Sequence, residues 1–142
     1  MSQAILMLFD WECPPVQAAK HVLQLAQRLE ASLTLLVIRP QLDELMEQDH
    51  QHFEQSTLVH LQAPWHELEA IASSLGVALT LEIAASGHAA NTVLEFSRER
   101  AFDWLVVCKP HIHHWLQEMV SGEAWRQVID QATFPILVLP DQ

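Results

Sequence analysis

The chain has 142 residues, enough for one domain of ordinary size and too few for a second. Half of its residues are apolar, so it can bury a sizeable core, and whole-chain disorder is excluded. Eighteen acids against seven Lys and Arg leave a formal charge of −11, which argues against a nucleic acid or an anionic membrane surface as partner. The three glycines, Gly76, Gly87 and Gly122, stand far apart, so no glycine-rich phosphate loop of the usual kinds can be written. Two cysteines, Cys13 and Cys108, are too few for a disulfide-built domain. No apolar run is long enough for a membrane span, and the start MSQAILMLFD lacks a basic region, so a cytoplasmic protein is expected.

Short apolar runs alternate with helical patterns. Ala4 to Phe9 is a continuous apolar run, as expected of a strand covered on both faces. Pro14 and Pro15 stand where a helix can begin, and Ala19, Val22, Leu23, Ala26 and Leu29 follow at helical spacing. Leu33 to Ile38 predicts a second buried strand, ended by Pro40. Between Gln41 and Leu75, Leu42, Leu45 and Met46 suggest a short amphipathic helix with an acidic outer face. Pro64 then restarts a helix with Leu68, Ile71, Ala72 and Leu75 on one face and Gly76 as its stop.

Val77 to Ala84 predicts the third strand. After Gly87 a helix turns Ala90, Val93, Leu94 and Ser97 inward. Trp104 to Cys108 is the fourth strand, and a last helix after Gly122 is expected to turn Trp125, Val128, Ile129 and Ala132 inward. Pro135 to Leu139 is the fifth strand. The alternation implies one α/β domain over residues 1–142, with a parallel sheet, helices on both faces and right-handed crossovers. Ligands of such sheets bind beyond the carboxyl ends of the strands, here the loops Asp10 to Pro15 and Lys109 to Ser121.

The stretches ILMLFD, LAQRLEASLTLLVI, GHAANTVLEFSRERAFDWLVV and IDQATFPILVLPD, in this order and spacing, with Asp103 before the fourth strand, resemble the universal stress protein family over essentially the whole chain. The resemblance implies a five-stranded parallel sheet of order 3-2-1-4-5, a Rossmann-like arrangement, and a homodimer through the last strand. The family has ATP-binding and non-binding classes, and the binders carry G-x-x-G, nine residues, then G-[ST] after the fourth strand. This chain departs from that motif: the positions read Cys108, Lys109, Pro110, His111, Ile112, His113 and His114. Pro110 removes a backbone donor, and Glu123 near the start of the last helix opposes a phosphate. Asp10 matches the family's acidic residue after the first strand, and Val37 falls near the position lining the base pocket. The resemblance therefore implies a degenerate nucleotide site without ATP, similar to domains of the tandem-type stress proteins.

The candidate ligand-binding residues are Asp10, Trp11, Val37, Cys108, Lys109 and His111. Trp11 and Trp115 near that edge either form an apolar pocket wall or fill the space left by missing glycines. His111 and His113, with Asp10, have the ligand types for Zn, Ni or Cu, but one H-x-H-H without a second fixed pair is a weak signal that reads first as a solvated loop, and no metal or other cofactor is assigned. His50 and His52 read as exposed. Cys13 and Cys108 follow strands that are neighbours in the implied order. A redox pair competes there with a buried thiol, the more common state of a free cysteine. His88 near Ser86 and Asn91 is no triad, and His66, Glu67 and Glu69 read as a solvated helix start, so no catalytic residue is assigned.

The reading is a non-catalytic stress-response protein, a homodimeric binding or regulatory module whose protein or small-molecule partner the sequence does not name. Alternatives are a nucleotide-binding switch with weak hydrolysis and a metal-binding module built on the histidine loop. Protonating all nine histidines would take the charge from −11 to −2, so association is expected to rise toward acid pH.

Overall fold

A computed structural model describes residues 3–9, 14–40, 47–86, 89–108 and 123–140. The elements run β1 (Gln3–Leu8), α1 (Val16–Leu29), β2 (Ala31–Pro40), α2 (Glu47–Leu75), β3 (Leu79–Ser86), α3 (Ala89–Arg100), β4 (Trp104–Cys108), α4 (Glu123–Gln131) and β5 (Ile136–Leu139). All strand pairs are parallel, in the order β3-β2-β1-β4-β5. The fold class and strand order expected above are both observed.

The continuous apolar runs have a direct cause. Successive side chains of a strand point to opposite faces, and here both faces are covered. Ile5, Met7, Leu33, Leu35, Val37 and Val106 join α1 and α2 in one core, and Leu6, Leu8, Leu36, Ile38, Leu105 and Val107 join α3 and α4 in the other. Helix α1 buries Ala18, Ala19, Val22, Leu23 and Ala26 on one stripe. Pro15 caps its start, and Ala19 N–H donates to the Pro15 carbonyl at 2.9 Å.

Helix α2 differs from the expectation that Pro64 starts a new helix: it runs unbroken from Glu47 to Leu75 with Pro64 inside. Leu42, Leu45 and Met46, which suggested a short amphipathic helix, lie outside the described residues. Proline removes one backbone donor and crowds the preceding turn, a cost of about 3 kcal/mol. The offset is a stripe that ignores the interruption: Leu61, Leu68 and Ala72 are buried, with Trp65 packed against the same core. Tertiary packing on both sides of Pro64 outweighs the local stop signal. His66, Glu67 and Glu69 are therefore mid-helix residues rather than a helix start, although all three are exposed as expected. Glu67 pairs with Lys20 of α1 at 2.5 Å.

Gly76 ends α2 as expected, at φ +71°. Val77 N–H donates to the Ala72 carbonyl at 2.9 Å and Gly76 N–H to the Ser73 carbonyl at 3.3 Å. That pair of bonds is the Schellman arrangement, which needs a left-handed residue at this position. Val77 is spent on this cap, so β3 begins at Leu79 and not at Val77.

On the second face, Val93, Leu94 and Ser97 of α3 are buried as expected, and Ser97 Oγ donates to the Leu94 carbonyl at 2.9 Å. Phe96 stacks on Phe102 with ring centroids 5.9 Å apart. Val128 of α4 is buried, but Ile129 is 49% exposed, against the inward placement expected of it. One residue advances a helix by about 100°, so with Val128 centred on the core Ile129 falls on the flank. β5 is the edge strand, and among the described residues no further strand lies beyond it to cover that flank.

Candidate functional site

The strand order reverses between β1 and β4, and the carboxyl ends of these two strands define the ligand edge of such a sheet. β1 is extended by one residue beyond Leu8: Phe9 N–H donates to the Leu36 carbonyl at 2.9 Å. The register pairs Leu8 with Leu36 and Met7 with Val106, so continuing it sets Phe9 between Val37 and Cys108. All three belong to the core beneath α1 and α2, where Val37 is fully buried. They form an apolar floor under the ligand edge.

Cys108 is the last residue of β4. Burial pushes its thiol up to about 11. It is therefore protonated near neutral pH, the opposite of the low-pKa thiolate that nucleophilic or redox chemistry needs.

Of the sequence-derived site residues, the structure brings Val37 and Cys108 to one face of two strands flanking β1. Asp10, Trp11, Lys109 and His111 lie outside the described residues, as do Cys13, His88, His113, His114 and Trp115. Among the described residues no group of three or more His, Cys, Asp or Glu is placed to hold a metal. Asn91, close in sequence to Ser86 and His88, accepts from Gln127 Nε2 at 3.1 Å and ties α3 to α4.

Phe9 was absent from the candidate residues. Its signal was its place at the end of an unbroken apolar run, which reads as core rather than as site floor. A second contributor is Asp103, which anchors β4 to β1 at the opposite end of the same strand pair. Ala4 N–H donates to Asp103 Oδ2 at 2.8 Å, and Asp103 N–H donates to the Ala4 carbonyl at 2.8 Å. Trp104 Nε1 adds a bond to Gln3 Oε1 at 2.9 Å.

Among the described residues, two cavities lie away from the ligand edge. One, of about 280 Å3, is an apolar groove between α2 and β3 lined by Val59, Leu61, Gln62, Trp65 and Leu81. The other, of about 340 Å3, lies where α1 and α2 end beside the starts of β2 and β3.

The fold is shared with solved structures over nearly the whole chain. The universal stress protein UspA from Lactobacillus plantarum is 19% identical with a TM-score of 0.70, over 96% of this chain and 97% of that one. A universal stress protein in complex with cAMP is 14% identical with a TM-score of 0.67, over 99% and 98%. The universal stress protein from Archaeoglobus fulgidus in complex with dAMP is 11% identical with a TM-score of 0.60, over 97% of each chain. No curated protein matches the chain. Among the described residues no helix is long and apolar enough to cross a membrane. The model of the universal stress protein family matches residues 1–140, and on that match the chain belongs to this family.

Proposed function

We propose that this chain is a non-catalytic stress-response module of the cytoplasm, a homodimer that acts by binding a protein or small ligand, with a nucleotide site that has lost its phosphate end. The observation that carries the reading is the end of β4. The strand stops at the buried Cys108 and the chain continues Lys109, Pro110, His111, where a glycine motif would cradle phosphates. Pro110 has no N–H to offer a phosphate oxygen. Glu123 is the first residue of α4, and an acidic residue type in a helix's first turn disfavours the anion that the helix dipole would otherwise attract. The protonated Cys108 supports a binding role over a nucleophilic one.

The dimer is proposed through β5. It is an edge strand of four residues, and Val138 is 40% exposed on it. An unpaired strand edge with an exposed β-branched residue suits pairing with a second copy. Sedimentation velocity tests this: a dimer that Val138→Lys converts to monomer supports it, and a monomeric wild-type chain contradicts it.

A second reading, a nucleotide-binding switch, is favoured by the relatives solved with cAMP and dAMP. These ligands carry a single phosphate, which asks less of a phosphate cradle than ATP does. Equilibrium dialysis separates the two readings: micromolar binding of ATP overturns the proposal, and binding of AMP with none of ATP keeps the adenosine half alone.

A further inference from the structure

At the amino edge of the sheet, opposite the ligand edge, α1 and α2 end side by side. Gln27 Nε2 of α1 donates to the Leu75 carbonyl of α2 at 3.3 Å, joining the two helix ends. The cavity between them is lined by the polar side chains of Gln27, Glu30 and Ser32 and by aliphatic Ala26, Leu75 and Val77. Its size is near the lower end of the range for small-ligand sites, roughly 300–1,000 Å3.

Each helix carboxyl end carries the equivalent of about half a negative charge. Two such ends converge here, and the Glu30 carboxylate joins them. The last turn of α2 has no basic residue, and Arg28 in the last turn of α1 is not in the cavity lining. Glu30 also stands at φ 54°, the left-handed position that glycine or asparagine fills more cheaply. An acid at a helix carboxyl end, in a strained conformation, breaks two local preferences at the mouth of one cavity.

We propose that this cavity binds a small organic cation, a primary amine on a short aliphatic stem. The helix-end carbonyls already accept backbone and Gln27 donors, so the ammonium would sit against the Glu30 carboxylate in the negative field of the two helix ends, with Gln27 Oε1 as a further acceptor. The stem would lie on Leu75 and the edge of Val77. A bare divalent ion suits the lining less well, because it needs several oxygen ligands and only one carboxylate is present. The cavity lies at the opposite end of the sheet from the degenerate nucleotide site and does not depend on it.

The test is an amide-detected NMR titration of the full chain with butylammonium at pH 7, against sodium chloride at equal ionic strength. Saturable shifts centred on Ser32, Gly76 and Ala78 are expected with butylammonium and not with sodium. Glu30→Gln should weaken binding about tenfold, the loss of one charge-assisted contact. Ala78→Phe, at an exposed lining residue, should abolish it while leaving a dispersed spectrum. Non-saturating shifts overturn the proposal. So do saturable shifts that both variants leave unchanged, and so does a loss in Glu30→Gln that Ala78→Phe does not share, which would mean surface charge alone.

Discussion

Asp103 grips Ala4 with both of its groups: its carboxylate accepts from Ala4 N–H and its own N–H donates to the Ala4 carbonyl, each at 2.8 Å. The pair joins β4 to β1 at their amino ends and so sets the register of the two strands whose far ends border the ligand edge. A charge-assisted bond to backbone contributes about 1.5–3 kcal/mol, less where it is open to solvent. Asp103→Ala should cost about 1–2 kcal/mol in urea unfolding, and Asp103→Asn, which keeps an acceptor, clearly less. Equal losses in both variants would mean that the carboxylate charge matters elsewhere.

Two left-handed positions predict effects of opposite sign. Gly76 has φ +71° and open space around the position a Cβ would take, so Gly76→Ala should destabilise through backbone conformation alone, by about 1 kcal/mol. Glu30 has φ 54°, and Glu30→Gly should stabilise by up to about 1 kcal/mol, relieving both the strain and the acid at the helix end. Chemical denaturation of the two variants checks both signs together.

The buried Cys108 thiol predicts a defined pH dependence. Its folded pKa of about 11 lies above the ordinary value of 9.0, so the folded state holds the proton more tightly. This contribution to stability is complete below pH 9 and is lost as pH rises toward 11. In a Cys13→Ser background, iodoacetamide at pH 8 should modify the folded chain far more slowly than the urea-unfolded chain. Equal rates would contradict the burial. Cys108→Ala should flatten the decline in stability above pH 9.

Pro64 predicts a gain. Pro64→Ala restores a backbone donor inside a helix that already runs through the position, and should stabilise by about 1–3 kcal/mol. Leu68→Ala, in the stripe that holds the helix to the sheet, should cost about 2–5 kcal/mol. A loss of stability in Pro64→Ala would mean that Trp65 depends on a distortion at Pro64 for its packing.

The strands were legible in the residues because parallel strands buried on both faces read as unbroken apolar runs, as Ala4 to Phe9 and Leu33 to Ile38 do. Their lateral order was not in the periodicity, which says nothing about neighbours, and came from the family resemblance. The continuity of α2 was hidden because Pro64 is a local stop signal, whereas what overrides it, Leu61, Trp65, Leu68 and Ala72 on one sheet face, is tertiary. Ile129 misled for a related reason: apolar spacing marks a face, but the edge position of β5 decides how much of that face is covered. At the site, Val37 and Cys108 could be named from the family pattern, but their shared floor with Phe9 required the strand register.

The most direct test of the proposed function is calorimetric titration of the purified chain with ATP. The account predicts no saturable heat up to millimolar ATP, because the chain after Cys108 offers Pro110 and a histidine-rich stretch where phosphate oxygens need glycine amides. Stoichiometric binding with a micromolar dissociation constant would contradict it.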